Sequence, residues 1–227
     1  MSDVVLSWSG GKDSALALWT MREEGREPAA LLTTINEDHE RISIHGVRRE
    51  LLLTQAAAVG LPLVEVPIPA ECPNELYEER MAAALASPPL AEVETFAFAD
   101  LFLADIRAYR EERLAAIGRT ATFPVWGRDT AALAERFVAA GFEATLVCVD
   151  PSRLDRSFAG RRFDADLLRD LPAGVDPCGE NGEFHTFVSA GPILSAPVAF
   201  EHGETVERDG FVFHDLRSGG VGFAGSG

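Results

Sequence analysis

A chain of 227 residues with 47% hydrophobic side chains can bury one large α/β core, alone or with a smaller appendage. A formal net charge of −16 repels nucleic acid over most of the surface, so direct nucleic-acid binding is not expected, and Arg48-Arg49 and Arg161-Arg162 read as solvated faces. Cys72, Cys148 and Cys178 lie too far apart in sequence for a disulfide framework or a zinc knuckle, and neither a membrane span nor a signal core is visible after Met1-Ser2-Asp3, which predicts a cytoplasmic protein with no membrane contact.

In chain order, Asp3–Trp8 reads as a short buried strand, Ser14–Glu24 as a helix and Ala29–Ile35 as a second strand. Val47–Val59 is a helix stopped by Gly60 and Pro62, and Leu63–Val66 is a third strand. A helix over Asn74–Ala86, a strand over Thr95–Phe98, an amphipathic helix over Asp105–Ile117 and a strand over Thr122–Val125 follow. Repeated βα units of this kind predict a Rossmann-like parallel sheet with helices on both faces. After Trp126 the pattern changes. A helix over Asp129–Ala140 and a strand over Ala144–Val149 precede a segment rich in Arg and Asp, and a hairpin joins Val198–Glu207 to Phe211–Leu216. The expected division is a nucleotide-binding domain over 1–126, a smaller substrate-side α+β domain over 127–217 and a flexible tail over 218–227.

The turn between the first strand and helix carries the only lysine of the chain, in Ser9-Gly10-Gly11-Lys12-Asp13-Ser14. An arginine-rich chain is what a GC-rich genome produces, yet a compact ammonium at this one position suits a phosphate. Gly10 and Gly11 let successive N–H groups converge on one anion, the helix start adds its positive end, and Ser9 and Ser14 add hydroxyl donors. Asp13 beside a phosphate calls for a bridging Mg2+, or else it is the N-cap of the helix. This turn matches neither Gly-x4-Gly-Lys-Ser/Thr nor Gly-x-Gly-x-x-Gly. In its strand–helix setting it resembles the pyrophosphate loop of the N-type ATP pyrophosphatases, the PP-loop superfamily. The resemblance implies an adenine nucleotide alpha hydrolase-like fold and cleavage of ATP to AMP and pyrophosphate. Thr33 and Thr34 end the second strand where that fold meets adenine, which adds Thr34 to the expected nucleotide site.

A second dense segment is Asp176-Pro177-Cys178-Gly179-Glu180-Asn181-Gly182-Glu183-Phe184-His185-Thr186-Phe187. Glu180 and Glu183 could bind a cation, hold a metal or deprotonate an amine, and His185 could be a general acid or base near neutral pH. An ordinary tight loop with solvated acids would look the same. This segment, with Asp100 through Arg110, Phe123-Pro124-Val125-Trp126 and Gly141-Phe142-Glu143-Ala144, resembles the diphthine–ammonia ligase family over roughly residues 3–195. Asn181, His185 and Ala99 depart from the family pattern, and they bear on the acceptor more than on the ATP chemistry.

The resemblance implies an ATP-dependent ligase that adenylates a carboxylate and forms an amide with ammonia, using ATP and Mg2+. Lys12, Glu180, Glu183 and His185 are the expected catalytic residues, with Asp13 on the metal. Asn181, Gly182 and Thr186 join Glu180, Glu183 and His185 in the expected substrate site. The acceptor would be a translation elongation factor, or an unknown carboxylate if the host is a GC-rich bacterium. Two other readings compete: sulfur transfer through Cys178, and an adenine-nucleotide sensor without turnover. Trp126 and His45 have plain readings as a packing aromatic and a helix-start hydrogen-bonder.

Overall fold

The computed structural model describes residues 4–42 and 45–219. Of the predicted tail, residues 220–227 lie outside the described residues, whereas Ser218 closes a strand. The first sheet is built from β1 (Val4–Ser7), β2 (Ala30–Asn36), β3 (Arg41–Ile42), β4 (Leu63–Ile68), β5 (Thr95–Ala97) and β6 (Thr120–Thr122). Its parallel strands run in the order β4-β2-β1-β5-β6, and the two-residue β3 pairs antiparallel with the end of β2. Successive side chains point to opposite faces, and both faces are buried. Val5, Ala30, Leu32 and Phe96 enter one apolar cluster, while Leu6, Leu31, Ile35 and Ala97 enter the other.

Helices α1 (Lys12–Glu23) and α2 (Arg49–Val59) supply Leu16, Leu18, Leu51 and Leu52 to the larger cluster. Helices α3 (Asn74–Leu85) and α4 (Ala104–Ala115) cover the other face through Met81, Leu85 and Leu114. Helices therefore lie on both faces, as the βα repetition predicts. The chain turns to one face after β1 and to the other after β5. In sheets of this type a crevice opens outside the carboxyl ends of two such neighbouring strands.

Residues past 129 add α5 (Thr130–Ala139), β7 (Glu143–Val149), a 3-10 turn at Arg156–Phe158, α6 (Ala165–Asp170), β8 (Phe184–Ala190), β9 (Phe200–Arg208) and β10 (Phe211–Ser218). Their antiparallel sheet, in the order β8-β7-β10-β9, shares the larger cluster with α1 and α2 through Leu146, Phe187, Val188 and Leu216. The two helices are thus sandwiched between two sheets. Asp129 caps α5 by accepting the Ala132 N–H at 2.8 Å. Asp209 and Gly210, with φ of 53° and 81°, make the two-residue turn that fits the twist of β9 and β10.

Two boundaries differ from expectation. The strand expected over Thr122–Val125 is β6 at Thr120–Thr122, because Thr95–Ala97 pairs with those residues and Pro124 has no N–H to give to a ladder. The motif-dense segment, to which the sequence reading assigned no element, ends in a strand, β8.

Candidate functional site

A cavity of about 440 Å³ opens at the predicted place, beyond the ends of β1, β2 and β5. Its floor begins with the glycine turn. Gly10 has a φ of 75°, and a Cβ there would lie 2.8 Å from Gln55 Oε1, so only glycine fits without strain. The Gly10 carbonyl accepts from Val188 N at 2.9 Å and from Gln55 Nε2 at 2.9 Å. Gln55 is fully buried; its Nε2 also donates to Val188 O at 2.6 Å, and its Oε1 accepts from Trp8 Nε1 at 2.9 Å. One amide therefore ties β1, the turn and β8 together.

Helix α1 starts at Lys12, with Gly11 as N-cap and no side-chain cap among the described residues. Asp13 lies in the first turn, which removes the alternative that it caps the helix. The Ser14 hydroxyl donates to Gly11 O at 2.9 Å and lies 3.3 Å from the Ser9 hydroxyl. Ser9, Asp13 and Ser14 line the cavity, as do Thr33 and Thr34 from the end of β2.

Lys12 sits elsewhere. Its ammonium is 2% exposed, contacts both Asp13 carboxylate oxygens at 2.9 Å and donates to Cys178 O. It also lies 5.3 Å from the centre of the Phe184 ring. Burial works against the charge, but Asp13, Cys178 and Asp176 outweigh it and hold the Lys12 pKa above its ordinary value. Burial pushes the Asp13 carboxyl up in spite of Lys12. Lys12 N–H donates to the Thr186 hydroxyl at 3.0 Å, so Thr186 belongs to the seam between α1 and β8 and is itself buried.

Glu180, Gly182 and His185 line the same cavity. Glu180 Oε1 accepts Leu101 N–H at 2.6 Å and Phe102 N–H at 3.4 Å, linking the 176–183 loop to the loop after β5. Burial, partly opposed by the Leu101 N–H, pushes its carboxyl up to about 7. Burial, then the charge of Lys12, takes His185 down to about 4, so at neutral pH the ring is neutral and cannot serve as an imidazolium acid. His45 lies beside it, the ring centres 4.5 Å apart.

Glu183 and Asn181 face away from this cavity. Glu183 is 2% exposed; its Oε1 accepts from Asp176 N at 3.1 Å and Asn181 Nδ2 at 3.0 Å, and it borders a separate recess beside Arg153. Among the described residues no group of three or more His, Cys, Asp or Glu is arranged to hold a metal ion. Asp13 does present a carboxylate to the cavity, which fits Mg2+ held by one carboxylate together with phosphate oxygens. Cys178 is buried, donates to Thr130 O at 3.3 Å and is pushed up to about 12, mainly by burial, which makes it a poor nucleophile.

Residue-by-residue reading of the sequence missed Gln55, Asp100 and Arg110. Asp100 and Arg110 both line the cavity, and Arg110 Nε and Nη2 reach the two Asp100 carboxylate oxygens at 2.8 and 3.2 Å. The available signal was an acid at a strand end followed ten residues later by a helical arginine. Gln55 left none, since a buried amide within a helix looks like any polar residue until its partners are known.

The fold and cavity define a doubly wound α/β protein with a glycine-rich turn lining a cavity at the switch point of its sheet. The family model for the diphthamide synthase N-terminal domain matches residues 1–119, and that for the diphthamide synthase C-terminal domain matches residues 129–214; the chain belongs to the diphthamide synthase family. A diphthine–ammonia ligase of Schizosaccharomyces pombe (strain 972 / ATCC 24843) is 25% identical over 222 residues, covering 88% of this chain. The chain spans 36% of that relative's length. Among the described residues no helix is long and apolar enough to cross a membrane.

Proposed function

We propose that the protein is an ATP-dependent ligase that adenylates a carboxylate, releases pyrophosphate and transfers the acyl group to ammonia. One observation carries this reading: Ser9, Asp13 and Ser14 line a single cavity of about 440 Å³ together with Glu180 and His185, within the size range of small-molecule sites. Family membership supports ligase chemistry, and the name of the S. pombe relative supports ammonia as the amine.

In this reading the Ser9 hydroxyl and the N–H groups of Asp13 and Ser14 in the first turn of α1 hold the triphosphate, and Thr34 borders the base. Asp13 would hold Mg2+, which when bound supplies positive charge to the phosphates. The Lys12 ammonium, fixed beneath the turn, adds positive charge to the floor without having to leave Asp13. A carboxylate oxygen attacks the α-phosphorus and forms a C–O–P bond. The bond to the α,β-bridging oxygen breaks, and pyrophosphate leaves with the electron pair. Ammonia then adds to the acyl carbon, AMP departs, and Glu180 is placed to take the proton, its raised pKa matching neutral pH. Neutral His185 orients the acceptor through hydrogen bonds. Glu183, Asn181 and Thr186 act as positioning residues, the first two bracing the loop and Thr186 holding the start of α1. A smaller substrate-side domain over 127–217, as the sequence suggests, would carry Glu180 and His185. The acceptor is a carboxylate, as on a modified translation elongation factor or on a small acid.

The test is product analysis with ATP, Mg2+, ammonium and candidate acids. AMP and pyrophosphate are expected; ADP and phosphate would overturn the reading, and binding without turnover would make the protein a sensor. Full activity in a Cys178→Ala protein would dispose of sulfur transfer.

A further inference from the structure

The nucleotide-sized cavity does not end at the sheet. Tyr77, Met81, Leu85, Phe98, Arg110 and Leu114 line it and also line a second cavity of about 500 Å³ between α3 and α4. The two spaces are neighbours with these six side chains between them. The second space exists because its helices cover the sheet thinly: every α3 side chain keeps some exposure, and Leu114 is the one buried residue of α4. Tyr77, Tyr109 and Ile117 are left 36%, 51% and 53% exposed around it, a cluster of large apolar side chains of the kind that marks a binding surface.

Arginine outnumbers acid along this groove: Arg110, Arg113 and Arg119 border it, with Arg113 ion-paired to Glu78 at 2.8 Å, in a chain whose net charge is −16. Arg119 donates to the carbonyls of Leu85, Leu90 and Ala91, which leaves its charge unneutralised by any carboxylate among the described residues. Arg110 stands at the junction. Asp100 holds its Nε and Nη2, and the guanidinium lies 4.3 Å from the centre of the Phe98 ring. Its Nη1 has no hydrogen bond among the described residues, so a fixed guanidinium offers a free donor edge at the wall between the cavities.

We propose that the groove between α3 and α4 is the acceptor site, and that it takes a small carboxylic acid with an aliphatic or aryl body. The body lies among Tyr77, Met81, Tyr109 and Ile117, and the carboxylate meets Arg110 at the shared wall, from which it faces the nucleotide cavity. This assignment rests on the ligase reading and names its substrate class. An amphiphile with one anionic end satisfies both features of the groove, apolar walls and an excess of arginine, which a cationic or fully polar acceptor does not.

Calorimetric titration of the whole chain with 3-phenylpropanoate and octanoate, in the absence of nucleotide, tests it. Both acids are expected to bind at least tenfold more tightly than acetate and than octylamine. Ala82→Trp alters an exposed α3 residue that lines the groove but not the nucleotide cavity. It should weaken both acids at least tenfold and leave ATP affinity within twofold, and Arg110→Gln should also weaken the acids. Acids that bind no better than acetate or octylamine, or that bind Ala82→Trp unchanged, overturn the proposal. So does Ala82→Trp weakening ATP as much as the acids, which would give the groove to the nucleotide base. Failure of the wild type to bind ATP would remove the ligase reading while leaving the acid titration, which contains no nucleotide, intact.

Discussion

Gln55 shows how much one side chain can fix. Its three hydrogen bonds hold Trp8, Gly10 and Val188, and Gln55→Leu would leave an indole N–H and two carbonyls with one partner fewer in a dry seam. Each unsatisfied buried group costs about 1–3 kcal/mol, so we predict a loss of roughly 2–4 kcal/mol in urea denaturation and weaker ATP binding from a loosened turn. Glu180 gives a second prediction. Its carboxyl is raised to about 7 from an ordinary 4.5, so the folded state binds more protons than the unfolded chain between those values. Stability contributed by this group therefore falls as pH rises from 4.5 to 7. Glu180→Gln should flatten that slope in melts run across the window, and the same variant should abolish an activity limb near pH 7.

At the scale of elements, Asp215 on β10 joins the two sheets. It accepts from Arg48 at 2.8 and 3.0 Å and from Arg41 at 2.9 Å. Burial works to raise its carboxyl, but these hydrogen bonds and charges outweigh it and take the group down to about 2. Its stabilisation is present above the ordinary value of 3.8 and is lost as pH falls towards 2. Asp215→Asn should lower the melting temperature at pH 6 and remove part of the acid limb below pH 4. The elements that the sequence disclosed are those with a strong local signal. Gly60 stops α2 with a φ of 81°, and Asp209-Gly210 makes the β9–β10 turn because both residues accept positive φ. What stayed hidden depends on partners far along the chain. Two-residue β3 exists only because β2 outruns β1, and α6 is a six-residue helix capped by Asp164 within an Arg/Asp-rich stretch that carries no periodicity. In the site, the glycine turn between strand and helix was legible, and it lines one cavity with Glu180 and His185. The burial of Lys12 and of Glu183, the latter away from the cavity, was not legible, since it follows from packing α1 against β8 and the 176–183 loop.

At the scale of the molecule, a turn at the end of a parallel strand and a carboxyl of raised pKa in the loop before an antiparallel strand line one cavity. The net charge of −16 disfavours polyanions in general, so in the proposed reading a triphosphate is held by local donors, the Ser9 hydroxyl and helix N–H groups. ATP affinity should accordingly be more sensitive to Ser9→Ala, expected to cost about tenfold for the ~1.4 kcal/mol of a lost hydrogen bond, than to ionic strength. The central claim is that the turn at Gly10 and Gly11 receives the phosphates of an adenine nucleotide. Calorimetry with ATP and Mg2+ on the wild type and on Gly10→Val, whose Cβ would press on Gln55, tests it most directly. We predict a one-to-one complex in the wild type and at least a hundredfold loss in the variant; no heat of binding in the wild type, or equal affinity in both proteins, would contradict it.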